Sequence, residues 1–237
     1  MQKEQTAGQV TDPITDGLEL QAIALGIINF VEQQLSAWRD DPNRPVAQAE
    51  NKLNLQLCKF LDSCARDDFP MIRFDHEEQQ SRRRRIDISA SPTVPTIIGA
   101  KPHSIYDPIL VVECKRLPAP SSDREKEYVT GGKDRQSGGI QRFKLGLHGA
   151  TLNIVAMIGY VQERSLSDWH REINGWIAEL CNGETKDGCV WNDDETLVPL
   201  AEDAARRVAS YRSRHHRSGS VSNNEIAIYH LWIIMNT

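Results

Sequence analysis

The chain lacks a CxxC cysteine pair, an apolar run of membrane length and a glycine-rich phosphate loop. Its five cysteines are odd in number and scattered, which indicates reduced thiols in a cytoplasm. A zinc site formed by Cys181, Cys189 and a histidine is an alternative. No apolar run approaches the ~18 residues of a membrane helix, so no membrane contact is expected. The missing phosphate loop and the lack of a Ser-His-Asp pattern argue against nucleotide-loop and serine-hydrolase chemistry.

Low-complexity tracts, internal repeats and clear linkers are also lacking. The 237 residues, of which 39% are apolar and 26% charged, fit a single globular domain over residues 18–237. Residues 1–17 are polar and show no signal-peptide pattern, so they are predicted to form a flexible tail. The formal net charge of −5 argues against broad electrostatic affinity for nucleic acid.

Strands and helices are predicted to alternate along the chain, which indicates an α/β fold around a mixed sheet. Apolar residues at helical spacing predict helices at residues 20–38, 46–64, 140–148, 169–180 and 200–211. Strands are predicted at residues 70–76, 84–90, 109–115, 153–161 and 225–235. Residues 91–108 are proline-rich and predict a hairpin-like excursion. Residues 117–139 are predicted to form a long loop that covers the site or presents substrate.

The most informative segment is residues 109–115, with the sequence ILVVECK. Because side chains alternate along a strand, Glu113 and Lys115 project from the same face. Asp87 lies in the preceding predicted strand, which could bring a second carboxylate close. Two carboxylates can hold a hard divalent cation, and a lysine beside them can orient a water molecule. The bland alternative is a surface ion pair at a strand end, worth less than ~1 kcal/mol.

An acid-x-lysine triplet is not specific by itself, since Glu184 and Lys186 have the same spacing in a polar, turn-rich segment. The apolar run before Glu113 distinguishes the two triplets. Glu50 is a further candidate because it falls inside an apolar helical stripe and could face inward. Its alternative role is that of a first-turn acid favoured by the helix dipole. Basic side chains near the predicted site are candidate phosphate contacts: Arg82, Arg83, Arg84, Arg85, Arg116 and Lys144.

These segments occur in a characteristic order: a helix with an acid, a strand with Asp87, a strand with Glu113-Cys114-Lys115, a helix with Gln141 and a buried strand. In this order residues 46–161 resemble the PD-(D/E)xK nuclease superfamily, which has the restriction-endonuclease-like fold. Two features depart from the pattern. Ile86 stands where many members have proline, and the 91–108 insertion means that the adjacency of Asp87 and Glu113 is inferred.

The resemblance implies a role for each matching residue. Asp87, Glu113 and the Cys114 backbone carbonyl would bind Mg²⁺, for which Mn²⁺ would substitute, and Glu50 would add a carboxylate. Lys115 would orient the attacking water and stabilise developing charge. Gln141 matches the polar residue on the helix after the motif strand, so it would be one of the catalytic residues together with Asp87, Glu113, Lys115 and Glu50.

The resemblance also implies a cytoplasmic Mg²⁺-dependent endonuclease acting on DNA. Such chains often serve as effectors of bacterial anti-phage or restriction systems, so a sensor or ATPase partner is expected and a homo-oligomer is possible. The alternative is a catalytically silent module of the same fold that binds a partner protein or nucleic acid.

Overall fold

The structure, a computed structural model, describes residues 19–81, 84–131, 135–183, 187–218 and 224–236. Its centre is a seven-stranded mixed sheet in the order β1-β2-β5-β6-β9-β8-β7. The strands are β1 (Ile72–Ser81), β2 (Arg84–Pro92), β5 (Leu110–Leu117), β6 (Ile154–Val161), β7 (Val198–Asp203), β8 (Val208–His216) and β9 (Glu225–Ile234). Two short strands, β3 (Thr96–Ile98) and β4 (Lys101–His103), form a separate hairpin in the predicted 91–108 excursion.

Helices cover both faces of the sheet. Apolar side chains of α1 (Leu20–Asp40) and α2 (Glu50–Asp68) form one core with the first face. Those of α3 (Gly139–Lys144) and α4 (Leu166–Asn182) form a second core with the other face. Two 3-10 helices, Ser122–Tyr128 and Asp193–Glu195, lie in the connections. The predicted mixed α/β class is therefore confirmed.

The middle of the sheet is parallel and its flanks are antiparallel. β6 pairs in parallel with β5 on one side and with β9 on the other. β6 is buried on both faces, which explains its nearly continuous apolar sequence. β2 pairs antiparallel with β5, and β8 pairs antiparallel with β9.

The helix predicted over residues 200–211 is wrong, because this segment forms the hairpin of β7 and β8. Its apolar residues fit a helical spacing, but the side chains around Val208 alternate between the two faces of the sheet. Val208 lies in the α1/α2 core, whereas Ala209 and Tyr211 lie in the α3/α4 core. The turn before β8 is made by Arg207, whose φ is 53°.

Two helix boundaries also differ from the prediction. α2 begins at Glu50 rather than near residue 46, and Val46 is 94% exposed. α3 ends at Lys144, several residues before the predicted end. The predicted tail, residues 1–17, lies outside the described residues. Among the helices of the described ranges, none is both long and apolar enough to cross a membrane.

Candidate active site

The candidate site lies where β2 and β5 separate. Their ladder pairs Ala90 with Leu110 and Ile88 with Val112, and it ends there. In the same register the next opposed residues are Asp87 and Glu113. Instead of a further backbone pair, Asp87 Oδ2 accepts a hydrogen bond of 2.7 Å from the Cys114 amide. The carboxylate of Asp87 thus occupies the free edge of β5.

A second carboxylate reaches the same free edge from α2. Glu50 is the first residue of that helix, and its Oε2 accepts a hydrogen bond of 3.1 Å from the Arg116 amide. The N–H and C=O groups of one strand residue point to the same edge. The Cys114 carbonyl therefore faces the opening that contains Asp87 and Glu50, and it is available there as an oxygen ligand.

Glu113 is fully buried and is surrounded by donors. Lys115 Nζ lies 3.1 Å from its Oε1, and Arg142 Nη1 donates to the same oxygen. His148 Nδ1 lies 3.0 Å from Oε2, and because a carboxylate only accepts, this nitrogen carries the proton. Burial alone would raise the pKa of Glu113, but Lys115, His148 and Arg142 together hold it well below its usual range.

Lys115 is the cation shared by the three acids. Its Nζ lies 3.1 Å from Glu113 and 3.6 Å from Glu50. Burial alone would lower the pKa of this ammonium, but Glu113, Glu50 and Asp87 raise it above its ordinary value. Lys115 therefore remains protonated at neutral pH, so it acts as a charge and a donor rather than as a base.

Asp87 is the acid whose charge is least compensated. Burial and then the nearby Glu113 carboxylate raise its pKa to about 8, against the opposing effect of Lys115. The carboxyl group is therefore largely protonated at neutral pH unless a further cation comes close. A divalent cation would supply that charge.

The donor set fits Mg²⁺ or Mn²⁺ in its chemistry, since it offers carboxylate and carbonyl oxygens. Asp87 is the carboxylate that still lacks a compensating positive charge. Across the described ranges, however, no three His, Cys, Asp or Glu side chains are already arranged to hold a metal ion. Oε1 of Glu113 already accepts from Arg142 and lies beside Lys115, so a cation would have to displace one of these donors. Within these ranges no such arrangement exists around Cys181 and Cys189 either, the two cysteines of the zinc alternative.

The structure places Gln141 away from the carboxylates. Its side chain is fully buried, and Oε1 accepts from the amides of Gly131 and Gly138 at 2.9 and 3.1 Å. Its Nε2 donates to the Asp187 carbonyl at 2.8 Å. The expectation that Gln141 takes part in the chemistry is therefore corrected, because its hydrogen bonds close the neck of the 131–138 loop and fix α3.

The prediction that Lys144 contacts nucleic acid is also corrected, because its side chain is not accessible at the surface. Its side chain is fully buried and forms an ion pair with Glu195, and it lies over the Trp191 ring. His215 Nδ1 lies 3.3 Å from the same carboxylate. Lys144 therefore holds α3 against the Asp193–Glu195 turn and the inner side of β8.

The predicted arginine contacts have different outcomes. Arg82 and Arg83 lie outside the described residues, as does the side chain of Arg84. Arg85 is exposed and pairs with Glu77. Arg116 is partly buried, and its Nε donates to Gln162 at 2.8 Å beside the site. Phosphate contact by Arg85 and Arg116 stays a prediction.

Sequence reasoning missed Arg142 and His148. Both contact Glu113, yet they follow it by 29 and 35 positions along the chain. The available signal was weak: both residues lie close to Gln141 at the ends of a short predicted helix.

Comparisons with protein families, with curated proteins and with solved structures gave no match for this chain.

Proposed function

We propose that this protein is a divalent-cation-dependent phosphodiesterase that cleaves nucleic acid, with DNA as the substrate, and that its sheet belongs to the restriction-endonuclease-like type. One observation carries the proposal. Lys115 lies among the carboxylates of Asp87, Glu113 and Glu50 at the point where β2 and β5 separate. A buried lysine shared by three acids, beside an acid that lacks charge compensation, is suited to cation-assisted hydrolysis.

Each residue has a task that follows from its contacts. Asp87 and Glu113 would hold the cation, together with the Cys114 carbonyl. A divalent cation bound there would lower the pKa of a coordinated water and neutralise charge on the phosphate. The protonated Lys115 would orient the attacking water and stabilise the charge that develops on the phosphate oxygens. Glu50 would hold Lys115 in place from the α2 side.

The location agrees with this activity. Asp87 and Glu50 bind the amides of Cys114 and Arg116 in the carboxyl-terminal half of β5, which is parallel to β6, and ligands of α/β sheets bind beyond the carboxyl ends of such strands. The chain has a formal net charge of −5, so its affinity for DNA would depend on local cations such as Arg116 and Arg85. We therefore propose a cytoplasmic effector of an anti-phage or restriction system that acts with a sensor or ATPase partner and can assemble as a homo-oligomer.

The test is cleavage of supercoiled plasmid DNA with Mg²⁺ or Mn²⁺. The wild-type protein is expected to nick the plasmid, and excess EDTA, Asp87→Ala and Lys115→Ala should each abolish nicking. Lys126→Ala is the matched control, because this lysine is exposed and pairs only with Glu179 among described residues. Cleavage that survives both Asp87→Ala and Lys115→Ala would refute the assignment.

A second candidate function is a catalytically silent module of the same fold that binds a partner protein or nucleic acid. The observation that favours it is the saturation of Glu113 by Lys115, Arg142 and His148, which is also how a purely structural buried acid is stabilised. A silent module would bind no Mn²⁺ through Asp87, whereas a nuclease would. Calorimetric titration of the wild type and Asp87→Asn with Mn²⁺ separates the two.

A further inference from the structure

Three donors converge on Glu113, and they differ in how much solvent they can reach. The side chains of Lys115 and His148 are only 6% and 2% exposed, whereas that of Arg142 is 25% exposed. Only the arginine therefore combines a contact with the buried carboxylate and an open side. His148 cannot reach a substrate from its buried position.

Within the described part of the chain, the guanidinium of Arg142 also has unused donors. Its Nη1 donates to Glu113, and its Nε donates to the Gln136 carbonyl at 3.2 Å. Its Nη2 makes no hydrogen bond to any residue of the described ranges. A guanidinium offers five N–H donors in a planar fork, and this fork suits the oxygens of a phosphate.

The backbone that carries Arg142 is rigidly held. Gln141 precedes it and is bonded to three backbone groups, and Lys144 follows it in a buried ion pair with Glu195. Side chains on such supported elements can be placed with the precision that catalysis requires. The two residues that were predicted to act directly therefore hold the arginine between them in position.

The contact between Arg142 and Glu113 cannot persist unchanged when a cation binds. Arg142 and Lys115 share Oε1, so a divalent cation at this carboxylate competes with the guanidinium for the same oxygen. Arg142 would turn toward solvent, and solvent is the side from which a phosphodiester must approach. Its charge would then meet the phosphate beside the cation.

We propose that Arg142 is a catalytic residue that contacts the scissile phosphate. It is hydrogen-bonded to Glu113 only while no divalent cation is bound there. His148 is a positioning residue that keeps the second oxygen of Glu113 fixed in both situations. This inference rests on the proposed function, since it assumes that Asp87 and Glu113 bind the cation. It adds to the same site a residue that contacts the phosphate of the substrate.

The test compares Arg142→Gln and Arg142→Lys with the wild type in two assays, Mn²⁺ binding by calorimetry and plasmid nicking. Arg171→Gln is the matched control, because Arg171 is an exposed arginine of α4 whose described ion pair is with Asp168 on the same helix. Arg142→Gln should bind Mn²⁺ about 3- to 10-fold more tightly, since it removes a competing positive charge. Its kcat should fall about 100- to 1,000-fold. Arg142→Lys should recover part of that rate, and Arg171→Gln should match the wild type in both assays.

The opposing outcomes are distinct. Weaker Mn²⁺ binding by Arg142→Gln would show that the arginine supports the carboxylate and would overturn the inference. A kcat equal to or above that of the wild type would show that Arg142 only blocks the site, which also overturns it. Failure of the wild type itself to bind Mn²⁺ would instead overturn the proposed function and this assignment together.

Discussion

The carboxylates of Glu113 and Glu195 are both fully buried, and their surroundings explain their different roles. Glu113 lies beside two other acids at an opening of the sheet, whereas Glu195 forms an ion pair with Lys144 and lies next to His215. Burial alone would raise the pKa of Glu195, but His215 and Lys144 lower it to about 2. The ion pair of Glu195 is therefore structural, whereas Lys115 is shared by Glu113 and two further acids and leaves Asp87 without a compensating charge.

Removing Glu195 should therefore destabilise the fold strongly. Glu195→Ala leaves the Lys144 ammonium buried without a partner, and we expect a loss of about 3–5 kcal/mol in the free energy of unfolding. Urea denaturation measures this loss. The control is Glu179→Ala, which breaks the exposed pair with Lys126 and should cost about 0–1 kcal/mol. Equal losses in the two variants would contradict the structural role of Glu195.

Asp87 should make the cation-free protein less stable as the pH rises. Its pKa is about 8 in the fold and about 3.9 in an unfolded chain, so the folded state binds more protons between these values. Stability contributed by this group is therefore present at pH 4 and is lost as the pH approaches 8. Asp87→Asn keeps the oxygen that accepts from the Cys114 amide and removes the titration.

Thermal unfolding in EDTA tests this direction of the pH dependence of stability. At pH 8 the melting temperature of Asp87→Asn should exceed that of the wild type by about 2 °C or more, and the difference should shrink toward pH 4. Added Mn²⁺ should raise the melting temperature of the wild type but not of Asp87→Asn. A difference that grows toward low pH would mean that the folded state favours ionised Asp87.

Among the α-helices of the described ranges, α3 is the shortest, and it depends on tertiary contacts. It has only six residues, too few to be stable as an isolated helix. Gln141 and Lys144 hold it from opposite ends through buried polar contacts. The loop neck next to it is equally tight, since a Cβ on Gly138 would lie 2.3 Å from Thr130 Cα.

Gln141→Leu should loosen this element. The substitution leaves the amides of Gly131 and Gly138 and the Asp187 carbonyl without their partner, at a cost of about 1–3 kcal/mol for each group that stays buried. We expect lower stability in urea and faster tryptic cleavage after Arg135. Gln33→Leu, at an exposed position of α1, is the control. Unchanged cleavage after Arg135 would show that the loop neck does not depend on Gln141.

The central strands were predictable because both of their faces are buried. β6 is a nearly continuous apolar run, and β5 and β9 each contain an apolar stretch, so these segments admit few other interpretations. β7 and β8 were not predictable from the sequence, because their apolar residues also fit a helical spacing: Leu200, Ala204, Val208 and Tyr211. The pairing of β8 with β9 decides that this segment forms strands and not a helix, and the local sequence gives no sign of that pairing.

The same distinction applies to the site. The alternation of β5 placed Glu113 and Lys115 on one face, and the register of β2 then brings Asp87 opposite Glu113. Arg142 and His148 reach Glu113 only through the packing of α3 on the sheet. The resemblance predicted a catalytic role for Gln141, and the charge of Lys144 predicted a phosphate contact for that residue. Neither signal shows that both side chains are buried, because a polar residue on a short helix gives no sign of its burial.

At the scale of the whole molecule, the sheet separates two helical layers, and the site lies where that sheet opens. α2 supplies Glu50 from one layer, and α3 supplies Arg142 from the other. The free edge of β5 lies between them and carries the Cys114 and Arg116 amides that bind the two outer acids. The site therefore draws on both layers, and a change in either layer should alter it.

The central claim is that Asp87 and Glu113 share one divalent cation. The most direct measurement is the anomalous difference map of a crystal of the wild-type protein soaked in Mn²⁺. We predict a peak within about 2.0–2.6 Å of a carboxylate oxygen of Asp87 and one of Glu113, with the Arg142 guanidinium turned away from Glu113. Saturating Mn²⁺ that gives no peak there, with Glu113 still bonded to Arg142, would contradict the claim.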